Sequence, residues 1–487
     1  EAVEIIQENR GEEVDIHQVE HFFQDEQVKF QLRTAETNGC FYIESPAMRG
    51  LLTKLHCDNY LSLVAASSII RPGVAQSGMM KQYIQRFHHP EKINYLHEKM
   101  REQLEETFGV MVYQEDVIKV AHHFAGLDLD EADVLRRGMS GKSRSRDEFQ
   151  RIEDKYFSNC RSLGYPDSIS QEVWRQIKSF AGYSFSKAHS ASYAVESFQS
   201  LFLKAHYPLE FQTAVINNFG GFYRTWVYFN EAKRQGATIE LPCVNHSRSE
   251  TRIVGKTIYT GFVHVQNLEQ NTIAQLLEER AQNGKFLSLT DFIGRVNISK
   301  EQLVILIRLG AFRFCEKTKA ELLWEAHMLI NRPVPVVQTR PMFQPQERKY
   351  QLPKFEQSLL GDAYDEIEFL GFPVTLSPFD MLETKFRGEV LAKNMMTNVG
   401  RTVRMLGRLV TIKYVWTTRK EIMHFGTFTD VQGEFFDTVH FPPSLKNYPF
   451  RGDGVYLVLG KIVEEFGFPS LEVEKMAKMP VQPNPKA

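Results

Sequence analysis

Lys187 and His189 lie in the stretch 181–194, Ala-Gly-Tyr-Ser-Phe-Ser-Lys-Ala-His-Ser-Ala-Ser-Tyr-Ala, which begins polar and ends apolar. Its first half, with Gly182, Ser184, Ser186 and Ser190, reads as a loop. Apolar residues then recur at Ala191, Ala194, Val195, Phe198, Leu201, Phe202 and Ala205, the spacing of a helix face. Pro208 predicts its end. A lysine and a histidine at a helix start suit a phosphate, because unpaired N–H groups and the helix dipole attract an anion there. Standing alone, the stretch reads better as a capped helix with a solvated lysine and a surface histidine.

A second cationic stretch, residues 134–146, carries Arg136, Arg137, Lys142, Arg144 and Arg146 and no acid. Arginine presents a planar fork that pairs with phosphate oxygens, and Lys142, after Gly141, offers a point charge. By itself such a run is usually a solvated face. Asp128-Leu-Asp130 has the look of a carboxylate pair for two metal ions. However, Glu131 three residues after Asp128 makes this a capping box at a helix start. Arg71-Pro72-Gly73 sets a turn with Arg71 extended. Gln114 and Glu115 follow the apolar Val110-Met-Val, and Glu115 reads as a buried, paired carboxylate rather than a catalytic one.

These stretches fall into an ordered series. Phe180 to Ala194 resembles the Phe-Ala-x-Tyr-x-Phe-x-Lys-x-His-Ala-x-x-Tyr-Ala signature of the bacterial replicative DNA polymerases of the C family, with Ser190 where alanine is usual. Upstream come Thr37-Asn-Gly39-Cys-Phe41-Tyr-Ile-Glu44-Ser45, Arg71-Pro72-Gly73, Gly109-Val-Met-Val-Tyr113-Gln114-Glu115 and Glu131-Ala-Asp133-Val-Leu135-Arg136-Arg137-Gly-Met139. Downstream come Leu203-Lys204-Ala205-His206-Tyr207-Pro208 and Phe211. Blocks in family order are far more specific than one motif. The resemblance implies that Arg136 and Arg137 touch the incoming triphosphate. It implies the same of Lys142, Lys187, His189 and Arg71, and leaves Arg144 and Arg146 solvated or on the DNA backbone. The family's catalytic aspartates lie in a Pro-Asp-x-Asp-x-Asp-Phe motif that does not occur here. No catalytic residue and no metal ligand is therefore expected in this chain, and Mg²⁺ would be held mainly by residues outside it.

The chain has 487 residues, a length that suggests about three domains. At 43% hydrophobic and 24% charged it is ordinary for a protein with a real core. A net charge of −2 requires any nucleic-acid binding to come from local patches. The five cysteines form no Cys-x-x-Cys pair, which argues against zinc and disulfides and fits the cytoplasm. No apolar run is long enough for a membrane span. The chain opens on Glu1 within a helical pattern, which reads as the C-terminal part of something longer.

The expected fold is multidomain α+β: mainly α-helical fingers and a helix-hairpin-helix domain, then a small all-β OB-fold barrel. Residues 1–60 read as the end of the palm and entry to the fingers, 61–205 as fingers, and 206–330 as the helix-hairpin-helix domain. Residues 331–350, rich in proline, read as a linker, 351–400 as a connecting segment and 401–480 as the OB-fold. Leu96, Met100, Leu104 and Phe108 predict a helix stopped by Gly109. The hairpin corresponds to Val265-Gln-Asn267-Leu-Glu269. It lacks the expected Gly-x-Gly, and Glu269 opposes phosphate, so DNA contacts fall to Arg280, Lys285 and Arg295. In the linker, Gln338-Thr-Arg-Pro-Met342-Phe343 resembles the peptide by which family members dock on the sliding clamp. In the barrel, Tyr414, Trp416, Phe425 and Phe428 are candidates to stack on bases with Lys413 nearby, and only Trp416 stands out as exposed.

The resemblance thus implies part of a DNA-directed DNA polymerase that extends primers by nucleotidyl transfer. Its partners would be primer–template DNA, deoxynucleoside triphosphates, the sliding clamp and other holoenzyme subunits, including a 3′–5′ exonuclease. The alternatives are a non-catalytic DNA-binding module, or the partner half of a split or error-prone C-family polymerase.

Overall fold

The computed structural model describes residues 1–70, 78–139, 146–181, 186–330, 358–417 and 419–486; of 137–139, 146 and 179–181 it describes the backbone alone. Arg71, Lys142, Arg144 and the peptide with Gln338, Met342 and Phe343 therefore lie outside the described residues, as do Gly182, Ser184 and the side chains of Arg137 and Arg146. The chain forms two compact units. One comprises Asp15–His206 with Glu464–Phe468, the other Glu1–Val14, Tyr207–Val463 and Pro469–Ala487.

The first unit is helical. Its longest helix, Lys187–His206, packs on helices Tyr60–Ile69, Glu26–Arg33 and Val19–Gln24. Tyr60–Ile69 is apolar nearly all round and buried from Ser62 to Ile69, as a helix must be when no polar stripe faces water. Lys204 is only 1% exposed, and its ammonium donates to the Asn38 carbonyl at 2.8 Å. A buried cation is tolerated only with such partners, so Lys204 pins the loop 37–45. A second helix group, with Gln114–His123, Leu129–Met139, Arg146–Ser162 and Asp167–Ala181, closes over Phe124, Tyr156 and Trp174. The helix expected through Phe108 ends earlier. The α-helix is Glu98–Leu104, a 3-10 turn follows at Glu105–Thr107, and Phe108 and Gly109 both take positive φ.

The second unit combines helices, a small sheet and a barrel. Strands β1 (Thr238–Glu240), β2 (Arg252–Val254) and β3 (Thr257–Tyr259) lie in the order β1-β3-β2, with β1 and β3 parallel. Helices Gln270–Asn283, Leu289–Arg295, Lys300–Arg308 and Lys319–Ile330 share a core in which Phe292 stacks edge-on with Phe286 and Phe312. Helix Leu359–Leu370 is tied down by buried Asp365, which takes Arg308 and Lys486. Strands β4 (Thr402–Trp416), β5 (Ile422–Thr429), β6 (Phe435–His440), β7 (Val455–Glu465) and β8 (Phe468–Lys478) close a barrel in the order β4-β5-β6-β8-β7. The β6–β8 pairing is parallel, and β4–β5, β4–β7 and β5–β6 are antiparallel. This is the α+β architecture with a terminal barrel expected from sequence. The barrel seats on helix Thr225–Arg234: the Arg408 guanidinium lies 3.5 Å over the Trp226 ring, and Arg234 bridges Glu231 and Glu434. No helix among the described residues is long and apolar enough to cross a membrane.

Candidate nucleotide and nucleic-acid interfaces

In the helical unit, one turn holds two of the expected phosphate contacts. Tyr113, Gln114 and Glu115 open helix Gln114–His123. The Gln114 Oε1 accepts from Arg136 Nη1 at 3.0 Å, and Asp133 takes the Nε of the same guanidinium at 2.9 Å. Next to it, Glu115 accepts the Ser186 hydroxyl and the Lys187 backbone N–H, both at 3.0 Å. The carboxylate of one helix thus caps the start of another and meets its positive end. Glu115 is thus paired as expected, but half-buried rather than buried. The cap also explains why the helix begins at Lys187, earlier than the loop reading of 181–190 allowed.

The Lys187 ammonium reaches Glu106 at 2.6 Å and lies 5.4 Å from the Tyr113 ring centre. Arg136 and Lys187 come from different helices, yet both rest on residues 113–115. Their side chains are 25% and 37% exposed, and each leans on a carboxylate whose place a phosphate oxygen can take. His189 is exposed on the Lys187 helix with its ring 4.1 Å from that of Tyr193.

Asp116 closes the same turn from beneath. Buried at 3% exposure, it accepts the Val112 and Tyr113 N–H groups, both at 2.9 Å. Burial pushes its carboxyl up to about 6, against the opposing pull of those two hydrogen bonds. The folded state holds this proton more tightly than the unfolded chain. The resulting stabilisation is full below the ordinary aspartate range and is lost as pH rises through about 6. Asp116→Asn keeps an acceptor oxygen without the charge. We expect it to flatten the pH dependence of unfolding of this unit between about pH 4 and 6, and to stabilise it at pH 7 by about 1–3 kcal/mol. Urea denaturation across that range checks this; an unchanged slope would refute it.

At Asp128, the Glu131 carboxylate accepts the Asp128 N–H at 3.1 Å and Lys155 binds Glu131 at 2.7 Å, as a helix start requires. No group of three or more His, Cys, Asp or Glu among the described residues is arranged to hold a metal ion.

In the second unit, several cations act electrostatically on His246. Lys285, Arg313, Arg252 and Arg280 all act on this imidazole, and burial with their charge holds its pKa below the ordinary histidine value. Its Nδ1 lies 3.4 Å from Cys243 Sγ. Arg280 donates to the Val244 carbonyl at 2.7 Å, while Arg313 pairs with Glu240. Among the described residues no carboxylate pairs with Arg252 or Lys285 within 4.0 Å, and Lys285 is exposed. The sequence analysis names Arg280 and Lys285 as DNA contacts and does not single out Arg252 or His246. The pair Arg248 and Arg252 in one short segment was the available signal, but nothing local tied that segment to Lys285.

Arg295 belongs to a different arrangement. It binds Glu279, Asp291 and the Gly284 carbonyl and stacks 4.4 Å from the Phe286 ring, which makes it a brace of the helical core. At the hairpin, Asn267 takes φ +64, the left-handed torsion its side chain tolerates. Gln302 occupies both the Glu269 N–H and the Asn267 carbonyl, at 2.8 Å each.

On the barrel, Trp416 is 68% exposed and Tyr414 67%. Two residues apart on one strand, they share a face, and their β5 partners are Ile422 and His424. Lys413 is exposed on the opposite face. Phe425 is 40% exposed, whereas Phe428 is fully buried and serves the barrel core. Exposure is therefore not confined to Trp416, and Phe428 is withdrawn as a stacking candidate.

The family model described as the bacterial DNA polymerase III alpha subunit finger domain matches residues 1–164, and one described as a helix-hairpin-helix motif matches residues 236–322. The DNA polymerase III subunit alpha of Staphylococcus aureus strain MRSA252 is 31% identical over 469 residues, 94% of this chain and 43% of that protein. Its namesake in Staphylococcus epidermidis strain RP62A is 31% identical over 452 residues, 90% of this chain and 41% of that protein. The chain spans about two fifths of the length of these curated relatives. By sequence, the chain is similar over nearly its whole length to the C-terminal part of bacterial DNA polymerase III alpha subunits.

Proposed function

We propose that this chain is the portion of a DNA-directed DNA polymerase that grips the incoming nucleotide and holds the primer–template. In the reaction, the primer 3′-hydroxyl oxygen bonds to the α-phosphorus of a deoxynucleoside triphosphate. The bond to the bridging oxygen breaks, pyrophosphate leaves, and the hydroxyl proton passes to a base. Catalysis of this transfer is mostly positioning and charge stabilisation. Arg136 and Lys187 on their shared mount supply charge to the triphosphate, and Arg137, Lys142, His189 and Arg71 are proposed as its further contacts. Mg²⁺, which would supply positive charge to the phosphates, would be held mainly by residues outside this chain, whose sequence lacks the family's Pro-Asp-x-Asp-x-Asp-Phe motif. The linker peptide with Gln338, Met342 and Phe343 is proposed to tether the polymerase to the sliding clamp in the bacterial cytoplasm. Other holoenzyme subunits, the proofreading exonuclease among them, complete the assembly.

The observation that carries the reading is the joint mounting of Arg136 and Lys187 by the 113–115 turn, which a purely structural DNA binder does not need. Primer extension tests it. A fusion of this chain to a palm carrying the aspartates should incorporate nucleotide, and this chain alone should not. Failure of every fusion would leave a binding module.

Duplex DNA is assigned to the cations around His246. Arg252→Gln with Lys285→Gln should weaken binding of a primer–template to a similar extent for any sequence. It should also reduce the slope of log affinity against log salt by about 2, because two fewer counterions are released. Fluorescence anisotropy from 50 to 200 mM salt, on the order used for such slopes, reads both. An unchanged slope would remove this patch from the interface.

A further inference from the structure

Helix Pro208–Asn217 ends in a way that stability alone does not favour. Asn218 caps it, and the next residue takes φ +47. That left-handed position is usually glycine, yet here it is Phe219, a bulky side chain for which such a torsion is an outlier. Burial does not repay the strain. The Phe219 side chain is 58% exposed, with the buried His264 ring behind it at 5.0 Å. Gly220 and Gly221 follow, Gly221 at φ +123, and then Phe222, 54% exposed. Backbone strain held beside exposed aromatic surface points to a ligand.

The loop is fastened at both ends. Asn217 binds both backbone groups of Thr251, which sets the start of the loop beside Arg252. At the other end the Tyr223 N–H donates to the Tyr228 hydroxyl at 3.0 Å, and the chain enters helix Thr225–Arg234. Residues 217–226 contain no acid. Arg224 is exposed and pairs with Asp453. Arg408, over the Trp226 ring, is half-buried and has no carboxylate within 4.0 Å among the described residues. Burial holds its pKa down to about 10; Asp453 pulls against this and Arg224 adds to it. Two guanidiniums thus share one carboxylate, which leaves a positive charge for an anion. A second carboxylate, Glu1, is taken up by the Asn217 and Asn218 amides.

Open aromatic faces followed by cations suit a nucleic-acid single strand: bases stack on the rings whatever their sequence, and phosphates pair with the guanidiniums. We propose that loop 218–224 and Arg408 bind single-stranded DNA. Phe219 and Phe222 each stack on a base. Arg224 and Arg408 hold phosphates, and a phosphate takes the place of Asp453 on Arg224. This site rests on the reading that Arg252 and Lys285 face duplex DNA, because the loop starts beside Arg252, where an unpaired template strand can continue from the duplex.

The test titrates the whole chain, by fluorescence anisotropy, into a labelled oligodeoxythymidine and into a blunt duplex. Phe219→Ala with Phe222→Ala should weaken single-strand binding at least about 10-fold through lost stacking, leave its salt slope in place and keep duplex affinity within about twofold. Arg224→Gln with Arg408→Gln should instead lower the single-strand salt slope by about 1.4, at about 0.7 for each phosphate released. If Arg408→Gln unseats the barrel, Arg224→Gln alone should lower it by about 0.7. Under ultraviolet light, an oligonucleotide carrying iododeoxyuridine should cross-link to Phe219 or Phe222. Wild-type single-strand affinity in the double phenylalanine variant, or cross-links confined to Tyr414 and Trp416, would overturn the proposal. With duplex binding intact, that result spares the duplex reading and leaves the loop to a protein partner. Binding of neither DNA form by the wild-type chain would overturn both readings together.

Discussion

Replacing Arg136 by alanine in the complete polymerase is expected to raise the KM for deoxynucleotide about 10²-fold. The chain's fold should remain intact. The guanidinium is held by Gln114 and Asp133 at the edge of the helical unit, with a quarter of its side chain open to solvent. The uncovered quarter opens the position to solvent, so water can fill the space the side chain leaves. What disappears is a forked, charge-assisted contact to phosphate, worth about 1.5–3 kcal/mol, or one to two powers of ten in affinity. Arg136→Lys should fall between, because it keeps a point charge and loses the planar pair of donors. Steady-state kinetics with circular-dichroism control read both. A KM within about twofold of wild type would make Arg136 a structural partner of Gln114 and nothing more.

Much of this arrangement is legible in the sequence, and the parts that are not share one physical cause. The barrel shows itself because strand patterning is local: Val455–Val463 is an apolar run that alternates buried and more exposed positions, and Gln432-Gly433 is a turn, with Gly433 at φ +82. The cap at Asp128 is likewise three residues long. By contrast, the start of the Lys187 helix is set by Glu115, 72 residues away, so composition near residue 187 read as loop. Arg295 is named for DNA because it lies in the stretch that resembles the helix-hairpin-helix domain. Only the fold brings Glu279 and Phe286 against it. Arg252 was invisible for the opposite reason: nothing around it in sequence announces that Lys285 and Arg280 will crowd the same imidazole. For Phe428 the aromatic type was right and the face wrong. Strand parity sends it inward, while Tyr414 and Trp416 sit where the β4–β5 hairpin leaves the closed part of the barrel.

Gly261→Ala tests how far the cationic face depends on the backbone beneath it, and its effect on stability should be among the largest of any single methyl addition in the second unit. Gly261 has φ −73, so torsion does not demand glycine. Space does. A Cβ there would lie 2.3 Å from the Glu250 carbonyl carbon, 2.5 Å from the Thr251 nitrogen and 2.6 Å from the Ser249 oxygen. All three are main-chain atoms, which cannot swing aside as a side-chain tip can. The segment they belong to is also fastened. Phe262 and Val263 donate to the Arg248 and Ser249 carbonyls, Gly261 to the Thr251 hydroxyl, and Asn217 binds both backbone groups of Thr251. The methyl must therefore push residues 249–251 off these partners. Overpacking of this kind costs about 1–3 kcal/mol, and here the broken hydrogen bonds place it at the upper end or beyond. Arg248 and Arg252 flank the displaced residues, so DNA affinity should fall along with stability. Arg252→Gln separates the two effects: it should lower DNA affinity and leave the unfolding midpoint in place. If Gly261→Ala instead destabilises the unit while DNA binding at saturating folded protein stays at the wild-type level, the phosphate-binding face does not include the 248–252 segment, and the burden falls on Arg280 and Lys285.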